Sequence, residues 1–168
     1  MQIRHSTEED LPVMLHIYEH ARQFQAEHGN PHQWGDNHWP PEEMLHADIR
    51  AGKSYVVVHE GSVVGTFYYD FGTEIEPTYR VIEDGDWQDA SPYGVVHRLA
   101  GDGSVRGIGK AVLDFAKEKS MGHVRVDTHP DNKVLQTLLP EQGFVLCGTI
   151  HVVQDPDPRL AYEFSQRG

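Results

Sequence analysis

The feature that most restricts the fold of this chain is a glycine-rich stretch, GDGSVRGIGK, at residues 101–110. An apolar run typical of a buried strand, YGVVHRLA, precedes it, and an amphipathic run that predicts a helix over about residues 107–120 follows it. Glycine has no Cβ atom, so it tolerates backbone angles and close approaches that other residues forbid. The stretch is therefore either a flexible connection into the helix or a loop whose main chain lies against a ligand.

Two common nucleotide-binding patterns do not fit this loop. The triphosphate pattern G-x-x-x-x-G-K-[ST] requires a glycine where Ser104 stands and a hydroxyl side chain where Ala111 stands. The dinucleotide pattern G-x-G-x-x-G, counted from Gly101, meets Arg106 at the position of its last glycine. Amides at the start of a helix bind phosphate oxygens well, so a phosphate-binding role here needs a different pattern.

Length and charge disfavour several classes of protein. The 168 residues suffice for one domain of ordinary size, and the formal net charge of −12 opposes binding to nucleic acid or to anionic membranes. The sequence contains no run of about 20 apolar residues and does not start like a secretion signal. Cys147 is the only cysteine, so an internal disulfide is excluded. We expect a cytoplasmic protein.

Hydrophobic periodicity alternates between the helical and the strand type, which predicts a mixed α/β sheet. Helices are predicted over residues 6–29, with Ser6 and Glu9 as a capping box, and over 40–52, 107–120 and 131–139. Strands are predicted at residues 2–4, 54–71 with a tight turn at Gly61 and Ser62, 93–100, 123–129, 144–153 and 159–164. Residues 73–92 show no clear period.

The segment SVRGIGKAVLDFA resembles the acetyl-coenzyme A signature of the GCN5-related N-acetyltransferase (GNAT) family, Q/R-x-x-G-x-G/A followed by a helix. Gly107 and Gly109 match this signature, whereas Ser104 replaces its Gln or Arg and removes one polar contact. The resemblance implies that loop amides hold the coenzyme's pyrophosphate and that nearby cationic side chains add charge. The implied cofactor-binding residues are Ser104, Val105, Arg106, Gly107, Ile108, Gly109 and Lys110.

The resemblance covers nearly the whole chain, so it implies a single GNAT domain over residues 1–168. That fold is a mixed, mostly antiparallel sheet of about six to seven strands flanked by about four helices. The central strand and the strand HVRVDTH are then expected to splay apart and to leave backbone groups of Leu99 and Ala100 for the pantetheine arm. One backbone amide there can also point at the thioester carbonyl, whose oxygen becomes negative as an amine attacks.

Catalytic residues are less clearly marked. Many members of the family carry a tyrosine acid at the seventh residue after an asparagine, and here Asn132 is in register but Leu139 stands at the tyrosine position. The leaving thiolate is then either unprotonated, which its modest basicity permits, or protonated by Tyr162 or water. His97 on the central strand is the candidate base, because histidine titrates near neutral pH; the alternative is a hydrogen-bonded core histidine. Asn132 is a coenzyme contact or a helix N-cap.

The acceptor site is expected to come from residues 73–92 and the first two helices. The first of these segments carries six acidic residues against one Arg, so it is either a solvated loop or a lid that attracts a cationic amine. Tyr79, Trp87 and Trp34 are the candidate substrate-binding residues, with loop anchors as the alternative for the tryptophans. No metal site is expected, because His28, His32 and His38 lack ligand spacing. Cys147 is interpreted as a small core residue rather than an acetyl carrier.

The predicted function is acetyl-CoA-dependent N-acetyl transfer to a small, cationic amine, by direct attack in a ternary complex. The alternatives are a non-catalytic acetyl-CoA sensor and an acetyltransferase that acts on protein N-termini or lysines. Leu139 favours the sensor, whereas the long aromatic loops favour a closed pocket for a small molecule. Beyond the acceptor, the one further partner considered is a second copy of the chain in a homodimer; neither nucleic acid nor membrane is expected to bind.

Overall fold

Helices and strands alternate along the chain much as the periodicity predicts. The computed structural model describes residues 1–166, and within them lie seven strands and four α-helices. The strands are β1 Gln2–His5, β2 Ser54–His59, β3 Ser62–Gly72, β4 Tyr93–Gly101, β5 His123–Thr128, β6 Val145–His151 and β7 Pro158–Ser165. The helices are α1 Leu11–Glu27, α2 Glu42–Arg50, α3 Ile108–Lys119 and α4 Lys133–Glu141.

The seven strands form one sheet in the order β1-β2-β3-β4-β5-β7-β6. The pairs β1–β2, β2–β3, β5–β7 and β7–β6 are antiparallel. Strands β4 and β5 are parallel, with Gly94 opposite Val124 and Val95 opposite Arg125. The predicted fold class, a mixed and mostly antiparallel sheet with four helices, is therefore confirmed.

The chain divides into two compact units, and each has its own buried residues. The first comprises residues 1–69 and 97–112, and the second comprises residues 70–96 and those from 113 onward. In the first unit Met14, Ile17 and Tyr18 of α1 pack in one cluster with Leu45 of α2 and Val56 of β2. The prediction of a single domain over residues 1–168 stays a prediction.

The start of α1 differs from the sequence-based expectation. The capping box at Ser6 and Glu9 is wrong, because Ser54 Oγ donates to Ser6 Oγ at 2.8 Å and that serine side chain is buried. One residue later, the N–H of Thr7 donates to Asp10 Oδ2 at 2.8 Å, and the helix begins at Leu11. A capping signal shifted by one residue cannot be distinguished in a stretch where Ser, Thr and two glutamates follow one another.

A buried charged network organises the second unit. Glu163 of β7 is 1% exposed, and its Oε2 atom lies 2.8 Å from His123 Nε2 and accepts from Arg125 Nε at 3.0 Å. Its Oε1 atom accepts from the N–H of Gln88 at 2.7 Å. The Arg125 guanidinium also lies 4.3 Å from the ring centre of Trp87. This network ties residues 87–89 to strands β5 and β7.

The edge strand β6 is covered by part of the segment 73–92. The N–H of Glu83 donates to the carbonyl of Thr149 at 2.9 Å, and the N–H of Thr149 donates to the carbonyl of Glu83 at 2.8 Å. Gly148 permits this approach, since a Cβ atom there would lie 2.5 Å from the Glu83 carbonyl oxygen. The segment therefore has a fixed place in the second unit, although it has no regular period.

No helix within residues 1–166 is both long enough and apolar enough to cross a lipid bilayer.

Candidate functional site

The glycine-rich loop ends in a sharp turn at the start of α3. Gly107 has φ +88°, a left-handed conformation that other residues rarely adopt. The first helical hydrogen bond runs from the N–H of Ala111 to the carbonyl of Gly107, at 3.0 Å. The N–H groups of Ile108 and Gly109 precede this bond, and the first amides of a helix have no partner within the helix. The turn therefore delivers backbone donors at the positive end of the α3 dipole.

The residues of this loop fit a phosphate-bearing ligand. A Cβ atom added to Gly107 would meet only Met1 Cε, at 3.9 Å, so the turn is open on that side. Arg106 and Lys110 are exposed and cationic, while Ile108 is buried in the first unit. The N–H of Ser104 donates to Asp102 Oδ1 at 2.9 Å, and its hydroxyl donates to the same oxygen. Ser104 therefore shapes the loop through Asp102.

Strand β4 contains a strained residue directly after His97. Arg98 has φ +54°, and a left-handed backbone in a residue with a Cβ atom costs about 1–2 kcal/mol. Such conformations persist only when the surroundings hold them, and they cluster at functional sites. His97 and Leu99, on either side, are half-buried, and Ala100 is buried. The residues predicted as base and as pantetheine contacts thus flank an irregular strand position.

Contacts from three elements hold Arg98. The Tyr18 hydroxyl of α1 donates to the Arg98 carbonyl at 2.6 Å. The Arg98 Nη2 and Nε atoms donate to Asp48 Oδ2 of α2 at 2.7 and 3.1 Å. The guanidinium carbon lies 4.5 Å from the ring centre of Tyr68 of β3, and the Tyr68 ring centre lies 5.7 Å from that of His97. Arg98 is therefore fixed at both its backbone and its side chain.

Burial raises the pKa of two of these groups. It raises the pKa of the Tyr18 phenol well above its usual value, so the hydroxyl stays a hydrogen-bond donor. Burial also raises the pKa of Asp48, and the charge and hydrogen bonds of Arg98 oppose that shift. The positive charge of the Arg98 guanidinium offsets part of the cost of burying a carboxylate at this half-buried position.

The aromatic residues predicted to bind the acceptor lie in packed surroundings. Trp34 is 7% exposed in the cluster of the first unit, where its ring meets Tyr18 edge-on at 5.7 Å. In the second unit Tyr79 is 2% exposed, and its hydroxyl donates to Asp127 Oδ2 at 2.7 Å. Trp87 Nε1 donates to the Tyr79 carbonyl at 2.8 Å. These three residues have the contacts of loop anchors, and their role in binding stays a prediction.

The residues predicted on and after α4 also have structural partners. Asn132 is the N-cap of α4, and its Oδ1 atom accepts from the N–H of Leu135 at 3.1 Å. Leu139, at the family's tyrosine position, is completely buried. Burial raises the pKa of Tyr162, which therefore remains a phenol at neutral pH. Burial likewise raises the pKa of the Cys147 thiol to about 11, which agrees with the interpretation of a core residue.

Sequence reasoning missed Tyr18, Asp48 and Arg98. Tyr18 and Asp48 lie within helices α1 and α2. The helical period alone does not distinguish a residue that packs in the core from one that fixes the backbone of a neighbouring strand. The charge at Arg98 within an apolar strand was the available signal. Among residues 1–166 no three or more His, Cys, Asp or Glu side chains are grouped as a metal site.

No protein-family model and no curated protein matches the sequence. Solved structures do match it. A GNAT-family acetyltransferase from Streptococcus agalactiae 2603 has a TM-score of 0.87 and 26% identity, with 98% of this chain and 95% of that chain covered. A GNAT-family acetyltransferase from Listeria monocytogenes 4b F2365 has a TM-score of 0.69 and 18% identity, with coverage of 96% and 92%.

A third match extends the range of chemistry found on this fold. The GNAT-like decarboxylase GphF, in complex with isobutyryl-CoA, has a TM-score of 0.66 and 14% identity, with coverage of 98% and 99%. At such identities the likeness shows the fold alone. The chain has the GNAT fold. Its resemblance to the GNAT family is confirmed, since GNAT-family acetyltransferases match it over nearly its whole length.

Proposed function

We propose that the protein is an acetyl-CoA-dependent N-acetyltransferase that acts on a small, cationic amine. The observation that carries this proposal is the open turn at Gly107, which presents the first amides of α3 at the end of the loop that follows strand β4. The similarity to GNAT-family acetyltransferases supports acyl transfer in general. The acetyl donor and the amine acceptor are our inference from the sequence signature and from the charge of the chain.

Acetyl-CoA, when bound, would supply an acyl group activated as a thioester. The amides of Ile108 and Gly109 would hold its pyrophosphate, and the exposed side chains of Arg106 and Lys110 would add positive charge. The backbone of Leu99 and Ala100 would bind the pantetheine arm. His97 would take the proton of the attacking amine, directly or through a water molecule. The departing thiolate needs no strong acid, which makes Leu139 compatible with catalysis.

A non-catalytic acetyl-CoA sensor is the second candidate. The completely buried Leu139 favours it, because the tyrosine acid of many family members is missing. The test is an acceptor screen that measures release of the coenzyme thiol against amines of different charge and size. Acyl transfer to at least one amine supports the enzyme; tight acetyl-CoA binding without transfer to any amine or peptide supports the sensor.

At low ionic strength we expect kcat/KM for cationic amines to be at least about 10-fold higher than for neutral or anionic amines. The reason is that an acidic protein raises the concentration of cations near its surface. The advantage should shrink when the ionic strength rises from about 0.01 M to about 1 M, since the Debye length falls from about 30 Å to about 3 Å. Steady-state rates across the panel at both salt concentrations check this. An anionic amine as best acceptor, with rates indifferent to salt, would refute the role of the acidic segment.

Two sets of variants locate the charge effect. Neutralising exposed acids of the segment 73–92 should reduce the preference for cations, through the variants Glu74→Gln, Asp84→Asn and Asp86→Asn. Three exposed acids outside both this segment and the first two helices provide the control, through Glu60→Gln, Glu118→Gln and Glu141→Gln. Equal losses from both sets would mean that only the net charge matters.

The His97→Ala variant should lose about 100-fold in kcat/KM at neutral pH and should lose the rising limb of the pH–rate profile. In the wild type, log kcat/KM should rise with pH over the range in which an imidazole releases its proton, because only the neutral ring accepts a proton. Affinity for acetyl-CoA, measured by calorimetry, should change little, since backbone amides are proposed to hold the coenzyme.

The matched control for this variant is His59→Ala, which removes another half-buried strand histidine of the first unit. Both variants should lower stability through lost contacts, by roughly 1–3 kcal/mol, and melting curves measure that loss. A destabilised His97→Ala protein with an unchanged pH profile would show that the amine arrives deprotonated or that another group is the base.

A further inference from the structure

Arg98, the strained residue of β4, is held by the side chains of Tyr18 and Asp48. The proposed reaction assigns no role to either side chain. All of strand β4, Tyr93–Gly101, is described by the structure, and Arg98 is its only non-glycine residue with a positive φ. A left-handed residue interrupts the alternation of a strand and changes the direction in which the following peptide groups point. The burial pattern agrees, since the four buried residues that open β4 are followed by three half-buried ones.

The contacts on Arg98 come from elements far apart in sequence, so they constrain it from several sides. Tyr18 binds its carbonyl at 2.6 Å, and Asp48 binds two of its guanidinium nitrogens through one oxygen. The side chains of Arg98 and Asp48 are only 13% and 12% exposed. A charge-assisted pair with so little exposure is stronger and better ordered than a surface ion pair. The pair therefore holds a backbone conformation that the chain alone disfavours.

We propose that Asp48 and Tyr18 are positioning residues for acyl transfer: they hold Arg98 in its left-handed conformation and thereby aim the backbone groups of Leu99 at the reacting acyl group. This inference rests on the proposed function and adds residues to it. Neither side chain touches the substrate; both act through Arg98. Displacement of a reacting group by about 1 Å can cost about 100-fold in rate, so loss of the pair should lower kcat far more than coenzyme affinity.

The first test compares Asp48→Ala with Asp10→Ala. Asp10 also forms a two-pronged pair with an arginine, Arg4, in the same unit, at 2.8 and 2.9 Å, and its side chain is 10% exposed. We expect Asp48→Ala to lower kcat by about 10- to 100-fold and to raise the Kd for acetyl-CoA by no more than about 5-fold, since the loop amides proposed to hold the pyrophosphate stay in place. Asp10→Ala should leave kcat within about 2-fold. If Asp48→Ala does not fold, Asp48→Asn replaces it.

A double-mutant cycle separates positioning from direct contact. Glycine adopts a left-handed conformation without strain, so Arg98→Gly removes the need for the pair as well as the pair itself. In the Arg98→Gly background we therefore expect Asp48→Ala to cost less than about 3-fold in kcat. The same 10- to 100-fold loss in both backgrounds would show that Asp48 meets the acceptor itself, which would overturn the proposal. Tyr18→Phe, which removes only the hydroxyl, should resemble Asp48→Ala in the direction of its effect.

A readout that needs no turnover keeps the inference separate from the proposed function. The backbone amide signals of Leu99 and Ala100 in NMR spectra should move in Asp48→Ala and should stay in place in Asp10→Ala. If the wild type transfers no acyl group to any amine, the proposed function fails, and these signals still decide whether Asp48 sets the Leu99 backbone. Unmoved Leu99 signals in a folded Asp48→Ala protein would overturn the inference.

Discussion

Gly109→Val should abolish measurable binding of acetyl-CoA, a loss of at least about 1,000-fold or about 4 kcal/mol. Gly109 is the second residue of α3, where a helix offers its amides to a phosphate group. A branched side chain there would occupy the space that the pyrophosphate needs, whereas valine is compatible with a helix. The protein should therefore stay folded. Calorimetric titration of acetyl-CoA, with a melting curve of the same sample, measures both quantities.

A matched pair of variants tests the turn at Gly107 and controls for the strain that a side chain introduces at a left-handed glycine. Gly107 and Gly61 have φ values of +88° and +80°, and a Cβ atom would meet little at either position. Gly107→Ala and Gly61→Ala should therefore lose similar stability, about 1 kcal/mol each. Only Gly107→Ala should weaken coenzyme binding, since Gly61 lies in the β2–β3 turn. Wild-type affinity in folded Gly109→Val would disprove the role of the loop.

Glu163→Gln should lower the free energy of unfolding by about 3–5 kcal/mol, because it removes one partner of a buried charged network. His123, Arg125 and the N–H of Gln88 all place hydrogen-bonding groups against the two carboxylate oxygens. The amide of glutamine offers one oxygen and one NH2 group, so the donors that now bind the second carboxylate oxygen would face N–H donors instead of an acceptor. Denaturant unfolding at neutral pH measures the loss.

The same carboxylate predicts how the loss depends on pH. Burial raises the pKa of Glu163, but the hydrogen bonds from His123, Gln88 and Arg125 outweigh it and leave the pKa below its usual value. A lowered pKa means that the carboxylate stabilises the fold above about pH 4.3 and stops doing so as pH falls through the folded-state pKa. Wild type and Glu163→Gln should therefore converge in stability at acid pH.

The control for this variant is Glu118→Gln, which neutralises an exposed glutamate of α3. It should change the unfolding free energy by no more than about 0.5 kcal/mol. A gap between wild type and Glu163→Gln that stays constant down to the acid limit would mean that the carboxylate charge contributes nothing to stability.

Strand and helix bounds were readable from the sequence because burial of one face imposes a period on the residues. The predicted strand at 123–129 and helix at 131–139 reappear as β5, His123–Thr128, and α4, Lys133–Glu141, with shifts of one or two residues. The glycine loop was readable for a related reason, since few residues other than glycine tolerate the backbone angle found at Gly107. Periodicity and backbone preference both depend on residues close together in the sequence, so both can be recognised in the sequence itself.

The rest of the candidate site depends on contacts between distant residues, which leave no pattern of that kind. Tyr18 and Arg98 are 80 positions apart, and Asp48 and Arg98 are 50 apart. Trp34 and Tyr79 are of residue types that often line ligand pockets, yet their side chains are nearly completely buried. An aromatic ring with a polar handle suits both a core and a binding site, so residue type alone cannot distinguish the two.

The Glu83–Thr149 bridge also bears on how the protein behaves at high concentration. An open edge strand lets a second molecule extend the sheet and start an aggregate. Here the N–H and carbonyl of Thr149 are already paired with Glu83, and Gly148 lets the Glu83 carbonyl approach the strand closely. An incoming strand would first have to displace it. The exposed Val145 and Leu146 of the same strand are thus poorly placed to start a β-sheet aggregate, although they are apolar.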